Sequence, residues 1–446
     1  MLFTTTCSSV SSGRFSSLFF SYTPRFLYTL GSTQAIRFFA GMSLAANAGV
    51  GDYDINGAPL LTGNLQDDID ALGDGQHTIT LHSDVFIVEG LEIGGKNIVF
   101  DLNTHKLEIS NHAGVGLHVH GGSKVGYTGV GSFTVSSTGG NALKVEGRGS
   151  FCTLTGVQVD AGNYAAILSA AQAIVVVNGD VEALGAGDIG LIAGSGSGIT
   201  VNGNTIVADG DGIGAFKNTE VIINGDLWVS GDSDNEGIYS DLGANVTVRG
   251  NVNMTGAARG IGAWEKSTVF VAGDITTSNG AAVYADEAAM VTVNGMVNAT
   301  FTSASSGDAA GIVARDGAAI FVKRDVVMTS AAPGYAGVEV RAGGVVTIDG
   351  TLTAPTTCIN IDGMVKTVAD VVPSDKVGYS NMYSDGASSV WVTRFSVPAT
   401  LIAPATPVAS AAAPVAVPAL NPALLAALAA ALGWMASAGF RRKRRS

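Results

Sequence analysis

Residues 260–273 read Gly-Ile-Gly-Ala-Trp-Glu-Lys-Ser-Thr-Val-Phe-Val-Ala-Gly, and residues 282–295 read Ala-Val-Tyr-Ala-Asp-Glu-Ala-Ala-Met-Val-Thr-Val-Asn-Gly. Each segment begins at a small residue and reaches a turn thirteen residues later. The same spacing recurs at Gly190/Gly203, Gly212/Gly225, Gly237/Gly250, Gly260/Gly273, Ala282/Gly295, Gly311/Arg324 and Gly337/Gly350. From nine to sixteen positions separate one pair from the next. A fixed segment that alternates with a variable one is typical of a stacked solenoid with loops on one side.

Each repeat contains three short strand patterns. After the small residue, large and small apolar residues alternate, as in Ile261 and Ala263. A second strand leads into the turn with Val269 and Val271, and a third leaves it from Ile275. This period of two predicts strands with one buried face. The turns read Asn-Gly-Asn, Asn-Gly-Asp, Arg-Gly-Asn or Ala-Gly-Asp, and we expect positive φ there because glycine and asparagine adopt it at low cost.

Three strands and three bends in repeats of 22 to 29 residues predict an all-β fold, a right-handed parallel β-helix. Each strand would pair with its equivalent in the next coil, about 4.8 Å away. The left-handed kind typically uses strict hexapeptides, and an antiparallel β-sandwich would not preserve a spacing of thirteen through so many units. The coils are expected over residues 113–365.

The charges are unevenly distributed along the chain. Residues 1–51 contain three arginines and no acid, and residues 441–446 contain five basic residues and no acid. The other 16 basic residues and all 37 acidic residues lie between these ends, a net charge of −21. Because nucleic-acid binding needs a basic footprint, this distribution argues against a nucleic-acid partner.

The N-terminal part lacks the repeat. Residues 1–48 are either a secretory signal, with Phe38–Ala45 as its apolar core, or a segment before a mis-assigned start. Residues 49–112 are expected to form a cap and the first strands, with one short helix from Asn64 to Leu72. A cap is needed because the first coil of a solenoid exposes apolar core and a strand edge.

Residues 95–107 read Gly-Lys-Asn-Ile-Val-Phe-Asp-Leu-Asn-Thr-His-Lys-Leu. This segment resembles the entry of pectin-lyase-like parallel β-helix domains on bacterial surface proteins, and the resemblance extends over the coils to about residue 365. It implies the fold. Such folds include lyases and hydrolases, but the chain contains no Asn-Thr-Asp, Gly-His-Gly or Arg-Ile-Lys set of the polygalacturonase kind. We therefore expect no catalytic residues.

The C-terminal part falls into three segments: a capping hairpin at 366–397, a Pro/Ala-rich linker at 398–421, and an apolar helix with a basic tail at 422–446. Residues 417–422 read Val-Pro-Ala-Leu-Asn-Pro and precede the helix and an Arg/Lys cluster. This order resembles bacterial PEP-CTERM and IPTL-CTERM sorting tails, with those residues where an Ile-Pro-Thr-Leu motif would be. The resemblance implies a membrane or sorting helix and a place in the cell envelope or on the cell surface; an Ala-rich soluble helix is the alternative.

Two groups of residues in the coils are candidate binding sites. The first strand carries an outward column of aromatic residues with charged neighbours, suited to glycan binding: Phe216, Tyr239, Trp264, Tyr284, Asp241, Asp286 and Arg315, with Arg341 alongside. Packing of these rings under loops is the structural alternative. The variable loops carry an acidic ladder that could bind calcium, although a solvated loop is the simpler interpretation: Asp209, Asp211, Asp232, Asp234 and Glu236, preceded by Asp188.

His118 and His120 lie two residues apart on a predicted strand, so their side chains point the same way. Two histidines could bind a metal, but the sequence identifies no third ligand, and a pair of exposed histidines is the alternative.

Together these observations predict a non-catalytic cell-surface β-helix protein that serves in adhesion or structural display. Its expected partners are a polysaccharide or other surface glycan and, through residues 422–446, a membrane. The alternative is a polysaccharide lyase or glycoside hydrolase. No cofactor is required by this prediction, and calcium is possible.

Overall fold

A computed structural model describes residues 52–59, 63–231, 235–256, 259–301, 310–330, 335–354, 357–366, 370, 372–374, 376–379, 381–384 and 386–396. The chain forms a right-handed parallel β-solenoid of about 11 turns with almost no helix. Each full turn contributes one strand to each of three parallel ladders, which we call sheets I, II and III in chain order.

Sheet I contains the strand that follows the small residue of each repeat: Leu91–Gly94, Leu117–His120, Leu143–Glu146, Ala165–Ala170, Ile189–Gly194, Ile213–Phe216, Glu236–Asp241, Arg259–Ala263, Ala281–Ala285, Ala310–Ala314, Ala336–Val340, Thr357–Ile361 and, antiparallel at the end, Met364–Lys366.

Sheet II contains the strands that lead into the Asn-Gly type of turn: Gln76–Leu81, Asn97–Asp101, Lys124–Thr128, Phe151–Leu154, Ile174–Val177, Gly198–Val201, Glu220–Ile223, Asn245–Val248, Thr268–Val271, Met290–Val293, Ala319–Val322, Val345–Thr353 and Ser389–Ser396. Sheet III contains those that leave it: Val85–Ile87, Lys106–Asn111, Ser132–Ser137, Gly156–Val159, Val181–Ala183, Thr205–Val207, Leu227–Ser230, Val252–Thr255, Ile275–Ser278, Val297–Phe301 and Val326–Ser330, and it ends on the second half of Val345–Thr353.

The core follows from the alternation in the sequence. Large residues of sheet I such as Ile238 and Ile261 are completely buried, and so are the small ones that follow them, Ser240 and Ala263. Because every inward position is stacked on its equivalent in the next coil, one continuous core runs through the solenoid.

The N-terminal end is covered by the remaining small elements. The α-helix Leu65–Asp70 begins at Asn64, whose side chain caps it by accepting from the backbone N–H groups of Gln66 and Asp67. Leu65 and Ile69 of this helix are buried. Strand Tyr53–Ile55 pairs antiparallel with Gln76–Leu81 and with Ala58–Pro59. These elements cover the edge and the core that the first coil would otherwise expose.

At the other end, Asn381–Ser384 forms an antiparallel pair with Ser389–Ser396 and with Val372–Pro373. Ser389–Ser396 itself continues sheet II in parallel with Val345–Thr353. The predicted signal segment, linker and C-terminal apolar helix lie outside the described residues. In the part of the chain that the structure describes, no helix is long and apolar enough to cross a membrane.

The prediction that the Asn-Gly turns have positive φ is wrong for the regular coils. Gly203, Gly225, Gly250, Gly273 and Gly295 all lack positive φ. Consecutive positive φ values occur instead in the turns from sheet I to sheet II, at non-glycine residues such as Lys217 (60°) and Asn218 (57°). The glycines are needed for stacking, because a Cβ on Gly225 would lie 2.5 Å from the carbonyl oxygen of Gly203 in the preceding coil.

Candidate functional site

The aromatic residues of sheet I lie on its outward face in two neighbouring columns, not in the single column that the sequence predicts. In one column Tyr239 and Tyr284 alternate with glycine, in the register Gly214–Tyr239–Gly262–Tyr284. Phe216 and Trp264 lie two residues after Gly214 and Gly262, in the second column, and Trp264 directly follows the strand Arg259–Ala263. In that column Phe216 is paired with Asp241.

The two glycines explain how the columns merge into one row of rings. A Cβ on Gly262 would lie 2.1 Å from the indole of Trp264, and a Cβ on Gly214 would lie 3.0 Å from the ring of Phe216. The rings of Phe216 and Trp264 therefore lie back over positions that carry no side chain. Trp264 occupies the space between the two tyrosines, and Phe216 lies on the other side of Tyr239.

The result is an aromatic stack of four rings, Phe216–Tyr239–Trp264–Tyr284, one from each of four successive coils. The centroid distances are 5.3 Å, 4.5 Å and 5.6 Å, and Tyr239 and Trp264 are stacked at 28°. Aromatic pairs at such distances attract each other by about 0.5–1.5 kcal/mol beyond burial. The stack follows the coil spacing of about 4.8 Å.

Charged residues hold the edges of the stack. The hydroxyl of Tyr284 donates to Asp286 at 2.8 Å. Burial, together with the charge of Asp241 and other acids nearby, raises the pKa of Tyr239 to about 12. The guanidinium of Arg259 lies 4.5 Å from the ring centroid of Tyr284 and 5.6 Å from that of Trp264. These acids and this arginine fix the rings in place.

The C-terminal end of the stack is closed to solvent. Tyr284 is only 6% exposed and packs with buried Val313. Arg315 lies over the ring of Tyr284 at 5.2 Å and pairs with Glu339 at 2.9 Å. Arg341 pairs with the same carboxylate at 2.9 Å. The structural alternative, packing of the rings, therefore describes Tyr284. Phe216, Tyr239 and Trp264 remain partly exposed, as do Asp286 and Arg315.

A pocket of about 290 Å³ opens at the N-terminal end of the stack. Phe216 and Tyr239 form its aromatic side, and Ile192 and Gly214 contribute apolar surface. The carboxylates of Asp211 and Glu236 also line it. Its volume is close to the lower limit of small-molecule sites, about 300 Å³.

Asp188 and Asp211 in the acidic ladder have protein partners. Asp188 is completely buried and accepts from the backbone N–H groups of Ala161, Tyr164 and Gly185. Asp211 accepts from the N–H of Glu236 at 2.7 Å, and its burial raises its pKa.

Glu236 pairs with Arg259 at 2.7 Å, so the acidic ladder meets the aromatic stack at this arginine. Asp209 is half-buried in the same loops. Asp232 and Asp234 lie outside the described residues. Calcium binding by this ladder stays a prediction.

The outward histidines have a neighbour that the sequence did not identify. The side chains of His118, His120 and Glu92 converge, with one ligand atom from each within 4.8 Å of the others. In the part of the chain that the structure describes, this is the one such group of three or more His, Cys, Asp or Glu residues.

Sequence reasoning missed the residues that shape these sites. Gly214 and Gly262 could have been found from the pattern Ile-Gly-Ala-aromatic, which alternates with a Tyr-x-Asp pattern in the following coil. A glycine at an outward strand position needs a reason, since it weakens a strand. Arg259 and Glu92 gave no comparable signal, because their roles depend on which side chain lies opposite in the next coil.

The fold and the site define a parallel β-solenoid with a partly exposed aromatic stack and a neighbouring acidic pocket. No protein-family model, curated protein or solved structure matches the chain.

Proposed function

We propose that the solenoid is a non-catalytic binding protein of the cell surface that holds a glycan on the aromatic stack and in the adjoining pocket. The observation that carries this proposal is the partial exposure of Phe216, Tyr239 and Trp264, which are stacked at the spacing of the coils. These rings are not needed for the inward core.

The chemistry of the pocket suits a sugar ring. The apolar C–H face of a sugar packs on aromatic rings, and its hydroxyls donate to carboxylates. Phe216 and Tyr239 supply the rings, and Asp211 and Glu236 supply the carboxylates. Small-molecule sites are typically lined by apolar groups, with a small number of polar groups placed among them. A chain of sugars would extend along the solenoid axis, from the pocket across Trp264.

Surface display would depend on two parts of the chain, the solenoid and the C-terminal segment. The solenoid provides a long rigid body, and the apolar segment 422–446 with its basic tail would anchor it in a membrane. Adhesion or structural presentation then requires only that the aromatic stack faces outward.

The test compares glycan binding by the full chain with that of Tyr239→Ala/Trp264→Ala on a polysaccharide and glycan array. Removing both rings should lower the affinity at least tenfold, because stacked rings at a binding site each contribute about 1 kcal/mol or more. Trp228→Ala is the matched control, since Trp228 is 49% exposed on sheet III, away from the stack.

Equal binding by the double variant, or no binding by either protein, would refute glycan recognition at this site. The thermal midpoints must also be compared. A double variant that unfolds at assay temperature is replaced by Tyr239→Leu, which keeps apolar volume and removes the ring.

A polysaccharide lyase or glycoside hydrolase is the second candidate, and one observation favours it. Asp211, whose pKa is raised by burial, and Glu236, which is paired with Arg259, line the same pocket. Acid–base cleavage of a glycosidic bond uses two carboxyl groups, and an acid whose pKa is raised beside an ion-paired carboxylate is a typical arrangement for it. Incubation with acidic polysaccharides should then release reducing or unsaturated ends, and Asp211→Asn should abolish the release; no release with wild type leaves the binding function alone.

A further inference from the structure

The first, second and third strands of sheet I bring four titratable side chains together on the outward face of its N-terminal end. Glu92 lies opposite His118 in the register of strands Leu91–Gly94 and Leu117–His120. His118 and His120 point outward because Leu117 and Val119, which alternate with them along the strand, are completely buried. The next strand adds Glu146.

The distances place Glu92 between the two imidazoles. Its Oε1 atom lies 2.9 Å from Nε2 of His120 and 3.7 Å from Nδ1 of His118. The two rings are 4.6 Å apart and tilted by 33°. Two imidazole nitrogens and one carboxylate oxygen thus face the same small volume.

Glu146 acts on the opposite side of His118. Its Oε1 atom lies 2.9 Å from Nε2 of His118, so that nitrogen can donate a proton to it while Nδ1 faces Glu92. Histidines that bind metals almost always donate their other N–H to such a carboxylate or carbonyl, which fixes the tautomer. Lys144 pairs with the same Glu146 oxygen at 2.9 Å and partly neutralises its charge, which leaves Glu92 as the carboxylate available to a cation.

The backbone also accommodates this group. Gly94 lies opposite His120, and a Cβ there would come within 2.7 Å of its imidazole. The amide of Gln66 fixes the backbone of Glu92 through two hydrogen bonds, one accepted from N–H at 2.8 Å and one donated to the carbonyl at 2.9 Å. The strand that carries Glu92 is therefore held by the capping helix.

We propose that Glu92, His118 and His120 form a binding site for a divalent transition-metal ion, with Glu146 as the residue that positions His118. Two imidazoles and one carboxylate are ligands that Zn²⁺ and other late transition metals prefer. Calcium and magnesium prefer sites made of oxygen ligands. The chemistry therefore selects a transition metal over the calcium considered for the acidic ladder.

Three protein ligands leave a coordination position for water or for an oxygen of another molecule. Glu92 and His118 also line a cleft of about 620 Å³ between the capping helix and the first coils. Asn64, Asp67 and Asn111 add polar groups to that cleft. The metal would therefore be accessible from this cleft, which is large enough for a small organic ligand.

The test is titration of the metal-free full chain with Zn²⁺ by calorimetry and with Co²⁺ by visible absorption. The wild type should bind one ion and give the intense absorption of a four- or five-coordinate Co²⁺. His120→Ala and Glu92→Gln should each weaken binding by more than about 100-fold, and Glu146→Gln by about 10–100-fold. Zn²⁺ should raise the thermal midpoint of the wild type and leave that of His120→Ala unchanged.

His82→Ala is the matched control, because His82 pairs with Asp54 at 2.8 Å without a second histidine. It should bind Zn²⁺ as the wild type does. Absence of Zn²⁺ binding by the wild type would show that these residues form His–Glu ion pairs only, and unchanged binding by His120→Ala together with Glu92→Gln would place the metal elsewhere. Either result overturns the proposal.

Discussion

At the scale of single residues, Gly262 shows how an absent side chain shapes the aromatic stack. It lies between Tyr239 and Tyr284 in the register of sheet I, and it does not have a positive φ. A glycine is needed at this position because the indole of Trp264 occupies the space where a Cβ would be.

Gly262→Ala should therefore displace the Trp264 ring, since a Cβ would lie 2.1 Å from it. Overpacking of this kind costs about 1–3 kcal/mol. We expect a lower free energy of unfolding in urea and a weaker near-ultraviolet circular dichroism signal from the stacked Tyr239–Trp264 pair. Gly194→Ala is the control, because a Cβ there meets no atom within 4 Å. A Gly262→Ala protein as stable as this control would contradict the proposed packing.

Asp211 predicts a pH dependence of stability. Burial raises its pKa in the folded protein above the ordinary value of 3.8, so the folded state holds the proton more tightly than the unfolded state does. Its contribution to stability is therefore fully present below 3.8 and is lost as the pH rises through the raised pKa.

The free energy of unfolding of Asp211→Asn, measured in urea, should thus increase relative to that of the wild type as the pH rises from about 4 to about 7. The asparagine keeps an oxygen to accept from the N–H of Glu236. Asp209→Asn removes a charge from the same loop and serves as the control for net charge. A difference between Asp211→Asn and wild type that does not change with pH would show that Asp211 does not titrate in this way.

At the scale of structural elements, a ladder of Asn and Asp side chains joins the turns between sheets II and III. In five successive coils the side chain that follows the turn glycine accepts from a backbone N–H of the next coil. The bonds run from Asn204 N to Asp180 (2.7 Å), Asp226 N to Asn204 (3.0 Å), Asn251 N to Asp226 (2.7 Å), Asp274 N to Asn251 (2.9 Å) and Met296 N to Asp274 (2.7 Å). The ladder ties coil to coil outside the sheets.

Asn251→Ala should break one step of this ladder and leave the N–H of Asp274 without its acceptor. The loss of a partner for a partly buried N–H costs about 1–3 kcal/mol. Asn251→Asp keeps the acceptor, but its carboxylate replaces the amide that donates to Asp226 at 3.2 Å, so it should recover only part of this loss. Thermal unfolding of both variants, with exposed Asn245→Ala as a further control, measures the effect. Equal midpoints for Asn251→Ala and Asn245→Ala would contradict this role.

The same turns show what the sequence could and could not predict. The thirteen-residue spacing predicted the coil and its three strands, because a strand's period and a turn's composition are local properties. The predicted reason for the turn glycine, a positive φ, was wrong. The glycine is required by the close approach of a residue a full coil away, since a Cβ on Gly225 would meet Gly203.

The candidate sites also combine features that the sequence could predict with features that it could not. Outward direction of Tyr239 or His118 follows from alternation within one strand, so it could be predicted. The lateral register of neighbouring coils depends on loops of variable length. The sequence therefore could not predict the partners Glu92 and Arg259 or the two-column arrangement of the rings. A third ligand for the histidines became visible only when Glu92 was placed opposite His118.

At the scale of the whole molecule, stability depends on stacking. The strands of each coil pair with those of the coils before and after it, so the ends present unpaired strands and apolar core. Leu65 and Ile69 of the capping helix are buried at the N-terminal end. Their burial is what keeps that end from pairing with another chain.

Ile69→Asp should therefore uncap the solenoid, because a carboxylate cannot remain at a completely buried position without a partner. We expect the first coils to lose protection in hydrogen exchange while the central coils, around Ile238 and Ile261, keep theirs. The freed edge should also cause self-association that increases with concentration, measured by light scattering after size exclusion. Asp67→Asn changes an exposed position on the same helix and should leave both properties unchanged. A monomeric Ile69→Asp protein with uniform loss of protection would show that the solenoid unfolds as one unit and that the helix does not act as a local cap.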